Sequence, residues 1–156
     1  MITWSPSLEL GVRSIDSEHR HLIEFINLVN GASDRQRSLL SGDDRLLSDL
    51  KALLQAHFEK EEDLMFGIDY PGVNSHLTAH STLQSDFDAK VLEAKETGDA
   101  SGTVGFVADW IIDHLKTEDT KLAKFIKDKK AQNALAAEAA KAAAAGKRPA
   151  AAAAKR

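Results

Sequence analysis

The chain has 156 residues, a formal net charge of −4 at pH 7 and no cysteine. This length predicts one domain with a real hydrophobic core, and the lack of cysteine excludes a disulfide framework, an iron–sulfur cluster and thiol catalysis. No apolar stretch approaches the roughly 20 residues that cross a membrane, and no secretory signal is evident. We expect a soluble, cytoplasmic protein without membrane contact.

Four segments carry apolar residues at the spacing of amphipathic α-helices. No run of residues competes as a strand. The inward stripes comprise Ile15, His19, Leu22, Ile26 and Val29 in the first; Leu46, Leu50, Leu53, His57, Glu61 and Leu64 in the second; His76, His80, Leu83, Phe87 and Val91 in the third; and Val107, Trp110, Ile111, His114, Leu122 and Phe125 in the fourth.

Capping and helix-breaking residues mark the ends of these helices. Asp16 or Ser17 is expected to cap the first helix, and Gly42 with the two aspartates after it to begin the second. Glycines and a proline in 67–72 and glycines in 98–102 separate the later helices. Because such short connections join antiparallel neighbours, we predict an all-α, up-down-up-down antiparallel four-helix bundle.

Five of the six histidines interrupt the apolar stripes, together with acidic residues. His57 and Glu61 are four residues apart, as are His76 and His80, so each pair lies on one face of its helix. A buried polar group is costly unless it is paired or bound to metal. Five imidazoles and two carboxylates exceed the needs of one tetrahedral zinc and suit two metal ions. The histidines are His19, His57, His76, His80 and His114.

Spacing alone leaves the second carboxylate open. Asp119 lies five residues after His114, about 140° around an ideal helix, whereas Glu118 lies four residues after it and has the better angle. Taken singly, each histidine is more often an ordinary core residue, and a histidine–glutamate pair can be a surface contact. The shared anomaly in four helices favours one site. His21 is expected at the surface.

The C-terminal residues 129–156 are mostly alanine and carry a charge of +6, which leaves −10 on the rest of the chain. Alanine favours helix, so residues 127–145 can extend the fourth helix, and disorder is expected after Gly146. We therefore divide the chain into a bundle, 1–128, and an Ala/Lys-rich tail, 129–156. The tail is expected to be a solvated extension. Weak contact with nucleic acid or another polyanion is the alternative.

Four sequence blocks resemble those of the hemerythrin family, and most closely its single-domain bacterial members. The blocks are GVRSIDSEH at 11–19, HFEKEEDLM at 57–65, YPGVNSHLTAH at 70–80, and WIIDH at 110–114 followed by Asp119. Trp4 and Ser5 also resemble the N-terminal arm of those members. The resemblance covers residues 3 to 127 and leaves out the tail.

The resemblance implies a non-haem di-iron centre that binds dioxygen reversibly, with two Fe ions per chain joined by an oxo or hydroxo bridge. It favours Asp119 over Glu118 as the second carboxylate. The iron held by only two histidines would keep a position open for O2. The resemblance assigns His76, His80 and His114 to one iron, His19 and His57 to the other, and Glu61 and Asp119 to both as bridges.

The family's oxygen pocket maps onto five apolar residues, which would exclude water and offer bound O2 few proton donors. Packing in the core alone is an equally good interpretation of them. Two positions depart from the family: Glu18 stands where glutamine is frequent, and Leu115 where isoleucine is usual. Neither is expected to touch a ligand. The pocket residues are Leu22, Phe58, Trp110, Ile111 and Leu115.

We therefore predict a monomeric protein that is not an enzyme and that binds O2 for storage, delivery or supply. A sensor or regulator that responds to O2, nitric oxide or iron is an alternative, although nothing resembling a signalling domain is evident. A di-iron oxidase, peroxidase or nitric-oxide-reducing enzyme is the third hypothesis. Oxygen-activating bundles carry four carboxylates and two histidines in Glu-x-x-His pairs. No such pair occurs among these candidate ligands, so binding is favoured over catalysis.

Overall fold

The computed structural model describes residues 1–31, 43–97 and 100–146, which form helices and no strand. A short 3₁₀ turn, Pro6–Leu8, lies in the N-terminal arm. The helices are α1 (Arg13–Gly31), α2 (Asp43–Gly67), α3 (Val73–Thr97), α4 (Ser101–His114) and α5 (Thr120–Gly146). A π-helical segment, Leu115–Asp119, joins α4 to α5 without a break in helical backbone.

The helices close into a ring around a common core. Helix α1 packs against α2, α2 against α3, α3 against α4, and α4 against α1. The short turn 68–72 reverses the chain between α2 and α3, which makes these two helices antiparallel neighbours. The expected all-α four-helix bundle is confirmed. No helix in the described residues combines the length and apolar content needed to cross a membrane.

A layer of buried polar side chains divides the interior of the bundle into a large and a small apolar part. The large part, here called the main core, includes Ile26, Leu50, Phe87 and Val107, each at most 2 % exposed. Two smaller clusters lie beyond the polar layer along the helices and include Ile15, Met65, Leu122 and Ile126. The polar layer is therefore packed on both sides by apolar residues from the same helices.

Several predicted core positions are displaced by one residue. In α2, Leu54 and Met65 are buried, whereas Leu53 and Leu64 are only partly buried. On an ideal helix all four positions lie within about 60° of the ligand face, so the period alone does not choose between them. The helix was predicted to bury the correct face, but packing against its neighbours selects positions 54 and 65.

Helix α1 begins at Arg13, earlier than predicted, so the expected N-cap at Asp16 or Ser17 was wrong. The Asp16 carboxylate instead accepts hydrogen bonds from the backbone N–H groups of Leu10 and Gly11, at 2.7 and 3.0 Å. Asp16 therefore fixes the backbone of the residues that precede the helix, and it does not cap the first turn. Gly11 adopts a φ of +76°, a conformation that favours glycine.

The other predicted boundaries have mixed outcomes. Helix α4 already begins at Ser101, so Gly102 lies inside a helix instead of a break. Gly42 and residues 98–99 lie outside the described residues, as does the predicted disorder after Gly146. Helix α5 reaches Gly146, and the side chains of residues 130–145 are exposed. The division of the chain at residue 128 stays a prediction.

Candidate metal centre

The structure brings the seven predicted ligand residues together in the polar layer. Each of the seven is at most 3 % exposed. Helix α1 contributes one, α2 and α3 contribute two each, and α4 with the π-helical segment contributes two. His21, two residues after a ligand position, is exposed, as predicted. The seven are His19, His57, Glu61, His76, His80, His114 and Asp119.

Their donor atoms form two groups in which all atoms lie within 4.8 Å of one another. Glu61 belongs to both groups, as a bridging ligand would. Its Oε2 is 3.2 Å from His76 Nε2, and its Oε1 is 3.7 Å from His19 Nε2. The first group is Glu61, His76, His80 and His114, and the second is His19, His57, Glu61 and Asp119.

Asp119 also faces histidines of both groups. Its Oδ1 lies 3.1 Å from His114 Nε2 and 3.2 Å from His76 Nε2. Its Oδ2 lies 3.3 Å from His19 Nε2. The two carboxylates are thus arranged alike, with one oxygen toward each side of the centre.

The π-helical segment explains how Asp119 reaches this position. A π turn joins residues i and i+5, so the residue five positions after His114 returns to the same side of the helix. Glu118 lies outside the polar layer, where one of its oxygens accepts a hydrogen bond from Lys121 at 2.6 Å. The structure therefore places Asp119 rather than Glu118 among the other candidate ligands.

The wider turn also changes the contacts that follow it. The Thr120 hydroxyl donates a hydrogen bond to the Leu115 carbonyl, five residues back, at 2.9 Å. After this segment Leu122 is buried, as predicted, and Ile126 is buried in place of the predicted Phe125, which is only partly buried. Local side-chain bonding and core packing thus both accommodate the π-helical segment.

The acidic residues of the layer are ionised. Burial raises the pKa of Glu61, but hydrogen bonds with His76 and His80 outweigh burial and hold this pKa well below its ordinary value. Burial and repulsion from Glu61 raise the pKa of Asp119, yet the imidazoles of His114 and His76, 3.1 and 3.2 Å from its Oδ1, bring this pKa below its ordinary value. Two buried negative charges therefore face the imidazoles.

The histidines respond in opposite directions. Burial lowers the pKa of His76, but the carboxylates of Asp119 and Glu61, each with an oxygen 3.2 Å from Nε2, outweigh burial and raise the pKa to about 9. Burial, reinforced by repulsion from His57, lowers the pKa of His19 to about 4. In the metal-free protein a proton on His76 therefore balances part of the carboxylate charge, while His19 stays neutral.

The donor set fits bound metal. Glu61 Oε1 and both carboxylate oxygens of Asp119 are buried and form no hydrogen bond of good geometry among the described residues. Nε2 of His76 and Nε2 of His114 are only 3.0 Å apart. Imidazole nitrogens and carboxylate oxygens that converge in this way are typical ligands of late first-row metal ions, and a cation would satisfy the unpartnered oxygens.

Two further acidic residues contact the outer side of the histidines, and the sequence did not predict them. Glu62 Oε1 is 3.2 Å from His80 Nδ1, and Glu18 Oε2 is 3.6 Å from His57 Nδ1. The expectation that Glu18 touches no ligand was wrong, because α1 packs against α2 and turns this side chain toward His57. Glu18 and Glu62 each stand next to a predicted ligand in the sequence, and this adjacency could have indicated them.

Aromatic rings hold two of the histidines. Phe58 stacks on His80 with ring centroids 3.8 Å apart, and Trp110 stacks on His114 at 4.3 Å. Trp110 is partly buried, and the other four predicted pocket residues are buried. Their packing in the main core is shown by these contacts. Their role as an oxygen pocket stays a prediction.

Comparisons with known proteins agree with this geometry. The family model described as "Hemerythrin HHE cation binding domain" matches residues 10–126. A hemerythrin-like protein of Naegleria gruberi is 30% identical over 118 residues, which are 76% of this chain and 87% of that protein. A bacteriohemerythrin of Clostridium acetobutylicum is 27% identical and covers 76% of this chain and 96% of its own length.

A bacteriohemerythrin of Pseudomonas paraeruginosa is 22% identical, with 82% of this chain and 88% of that protein covered. No solved structure was found to match the chain. The family match spans the whole of the polar layer, from His19 to Asp119. Sequence match and buried ligand set together show that the chain belongs to the hemerythrin family.

Proposed function

We propose that this protein binds dioxygen reversibly at a pair of non-haem iron ions. Membership of the hemerythrin family implies non-haem iron. The observation that carries the proposal of two ions is the pair of four-residue ligand groups that share Glu61, with Asp119 facing histidines of both. Two buried carboxylates with oxygens on both sides are the arrangement that bridges two cations.

The ligands divide unevenly between the two positions. Three histidines, His76, His80 and His114, would hold one ion, and His19 and His57 would hold the other. If Glu61 and Asp119 served both ions, the ion held by His19 and His57 would have one protein ligand fewer and could take a small molecule in its place.

Bound ferrous iron would supply the electrons that reversible binding of O2 requires. The chain's own part is to fix the ligands and to exclude water. Leu22, Ile111 and Leu115 are each at most 2 % exposed and present no proton donor. Such a lining favours release of O2 unchanged over its reduction, because reduction consumes protons.

The composition of the ligand set supports binding rather than catalysis. Bundles that activate oxygen typically combine four carboxylates with two histidines. The set here has five histidines and two carboxylates, and so supplies less negative charge to the metal. We therefore infer that the protein is a carrier or store of O2, with an oxidase or a sensor as the alternative.

Metal analysis and optical spectroscopy test the proposal. We expect about two irons per chain after expression with iron. The reduced protein should be nearly colourless, and O2 should produce a visible charge-transfer band that argon removes. Zinc, or a single metal ion, would contradict the iron pair. Irreversible bleaching with rapid consumption of a reductant would favour the oxidase.

A matched pair of variants in α1 shows whether the predicted site is responsible. His19 is buried in the polar layer, whereas His21 is exposed on the same helix. His19→Ala should lose iron and the optical band, and His21→Ala should keep both. Equal behaviour of the two variants would mean that iron binds elsewhere.

A further inference from the structure

We propose that Glu18 is a positioning residue for His57. Its carboxylate, held by Lys60, accepts a hydrogen bond from Nδ1–H of the imidazole and so keeps Nε2 free to bind metal. This inference rests on the proposed metal centre. It gives a role to a residue outside the ligand set, at a position where the sequence departs from a glutamine that is frequent in the family.

The contact links α1 to α2 at the level of the polar layer. Lys60 Nζ forms a salt bridge with Glu18 Oε1 across the two helices. The other oxygen, Oε2, lies 3.6 Å from His57 Nδ1. Because Lys60 fixes one oxygen, the second oxygen has a defined direction toward the imidazole.

The two atoms of this contact are buried, so water cannot replace either of them as a hydrogen-bond partner. Glu18 Oε2 and His57 Nδ1 are both shielded from solvent, and neither has a hydrogen-bond partner of good geometry among the described residues. Buried polar atoms strongly favour a partner. The two atoms lie 3.6 Å apart, slightly beyond hydrogen-bond distance, so the proposed bond requires a small movement of the carboxylate.

The chemical effect follows from the two nitrogens of imidazole. A neutral imidazole carries its proton on one nitrogen and offers a lone pair on the other, and a carboxylate beside Nδ1 favours the proton there. Nε2 of His57 then faces the centre as an acceptor, 3.1 Å from His19 Nε2. A carboxylate partner also raises the basicity of a ligating histidine.

The other ligand group contains an independent counterpart. Glu62 Oε1 lies 3.2 Å from His80 Nδ1. One histidine of each group is therefore supported by a carboxylate on its outer side. Glu62 lies on α2 and faces α3, so it serves as a reference: each glutamate should affect only its own histidine.

The first experiment measures the tautomer of His57 in the metal-free protein. Imidazole ¹⁵N chemical shifts are recorded while the pH is raised until the His57 imidazole is neutral. Wild-type His57 should carry its proton on Nδ1, and Glu18→Ala should shift the population toward the Nε2–H form. Glu18→Gln has a single acceptor oxygen, for which Lys60 and His57 compete, and should give an intermediate population. Glu62→Ala should alter His80 and leave His57 unchanged.

The second experiment measures affinity for Co²⁺ by competition with a chelator. Loss of a supporting partner of a metal ligand costs about 10- to 100-fold in affinity, and we expect this range for Glu18→Ala, with a smaller loss for Glu18→Gln. Glu24→Ala is the matched control, since Glu24 is an exposed glutamate of α1. Thermal unfolding verifies that each variant is folded.

The outcomes separate this inference from the proposed function. An unchanged His57 tautomer in Glu18→Ala would overturn the inference, as would equal losses of affinity in Glu18→Ala and Glu24→Ala. The tautomer is read without metal, so it tests Glu18 even if the protein binds no O2. Failure to bind iron would instead overturn the proposed function.

Discussion

The polar layer and the main core are built by the same helices, yet only the main core is complete in the chain itself. In the main core, side chains such as Ile26 and Phe87 pack against other apolar groups. In the polar layer, Asp119 has both oxygens buried without a well-formed hydrogen bond. The main core therefore stabilises the fold by its own packing, whereas the polar layer leaves buried oxygens that a bound cation would satisfy.

The free-energy cost of the unpartnered polar atoms in the layer can be estimated. A buried polar group left without a partner costs about 1–3 kcal/mol, and several such atoms lie in the layer. Metal that binds only the folded chain stabilises the fold. The main core must therefore stabilise the metal-free bundle, and bound metal should add stability that grows with the logarithm of its affinity.

The largest expected effect is on metal binding at the layer. Asp119→Ala removes a carboxylate that faces both ligand groups, so at least one ion should be lost and affinity should fall by at least about 100-fold, the upper end of what supporting residues alone cost. Glu118→Ala should be nearly silent because Glu118 pairs with Lys121 outside the layer. Metal content and chelator competition measure both. The reverse result would mean that plain α-helical spacing selects the ligand.

The next largest effect is expected on the free energy of unfolding, from a substitution in the main core. Phe87 is 2 % exposed, and Phe87→Ala should cost about 3–5 kcal/mol in free energy of unfolding. The loss should be similar with and without metal, since Phe87 belongs to the main core. Urea unfolding of both forms provides the measurement. Phe66→Ala, at a side chain 61% exposed, should stay within about 0.5 kcal/mol of wild type.

A smaller effect concerns pH and the metal-free protein. Folding lowers the pKa of His19 from 6.5 to about 4. As pH falls below 6.5 the unfolded chain takes up this proton first, so a contribution of roughly 3 kcal/mol, fully present above pH 6.5, is lost toward pH 4. His76, raised from 6.5 to about 9, contributes stability below pH 6.5 that is lost as pH rises through 9.

The metal-free protein should therefore be most stable near pH 6.5. Free energies of unfolding across this range measure the effect. Phe87→Ala should lower the whole curve without moving its maximum, because no ionisable group is changed. A flat curve for the metal-free protein would show that the layer is solvated rather than buried.

The smallest effect is expected from the tail. Ile126 is the last buried residue of α5 among those whose burial is described, and Lys129 donates a hydrogen bond to the Ile68 carbonyl at 2.5 Å. Deletion of residues 131–156 keeps both contacts, so metal content, optical spectrum and melting temperature should not change. Loss of metal in the truncated chain would mean that the boundary at residue 128 is wrong.

The same truncation tests whether the basic tail binds polyanions. Binding through its charge should weaken steeply as salt rises. Gel-shift titrations of the full-length and truncated chains at low and moderate salt compare the two. If neither chain shifts DNA or RNA at low salt, the tail is only a solvated extension.

The ligand histidines could be predicted because each places a polar group on an apolar stripe, a local property of the sequence. The choice of Asp119 could not be made from spacing, since a wider helical turn is invisible to a fixed period of 3.6 residues. The resemblance to the hemerythrin family indicated Asp119. The contact of Glu18 with His57 was missed because it depends on how α1 rotates against α2.

The π-helical segment Leu115–Asp119 has a genetic consequence. It acts as one extra residue inside an otherwise α-helical stretch, and that residue decides which carboxylate returns to the side of His114. In a plain α-helix of the same sequence, Glu118 at the fourth position after His114 would take that place. A codon deleted between His114 and Glu118 would move Asp119 to the fourth position and keep aspartate at the centre in a plain α-helix, whereas an inserted codon would bring Glu118 to the fifth position. Gaps in this segment therefore carry more information about the site than mismatches do.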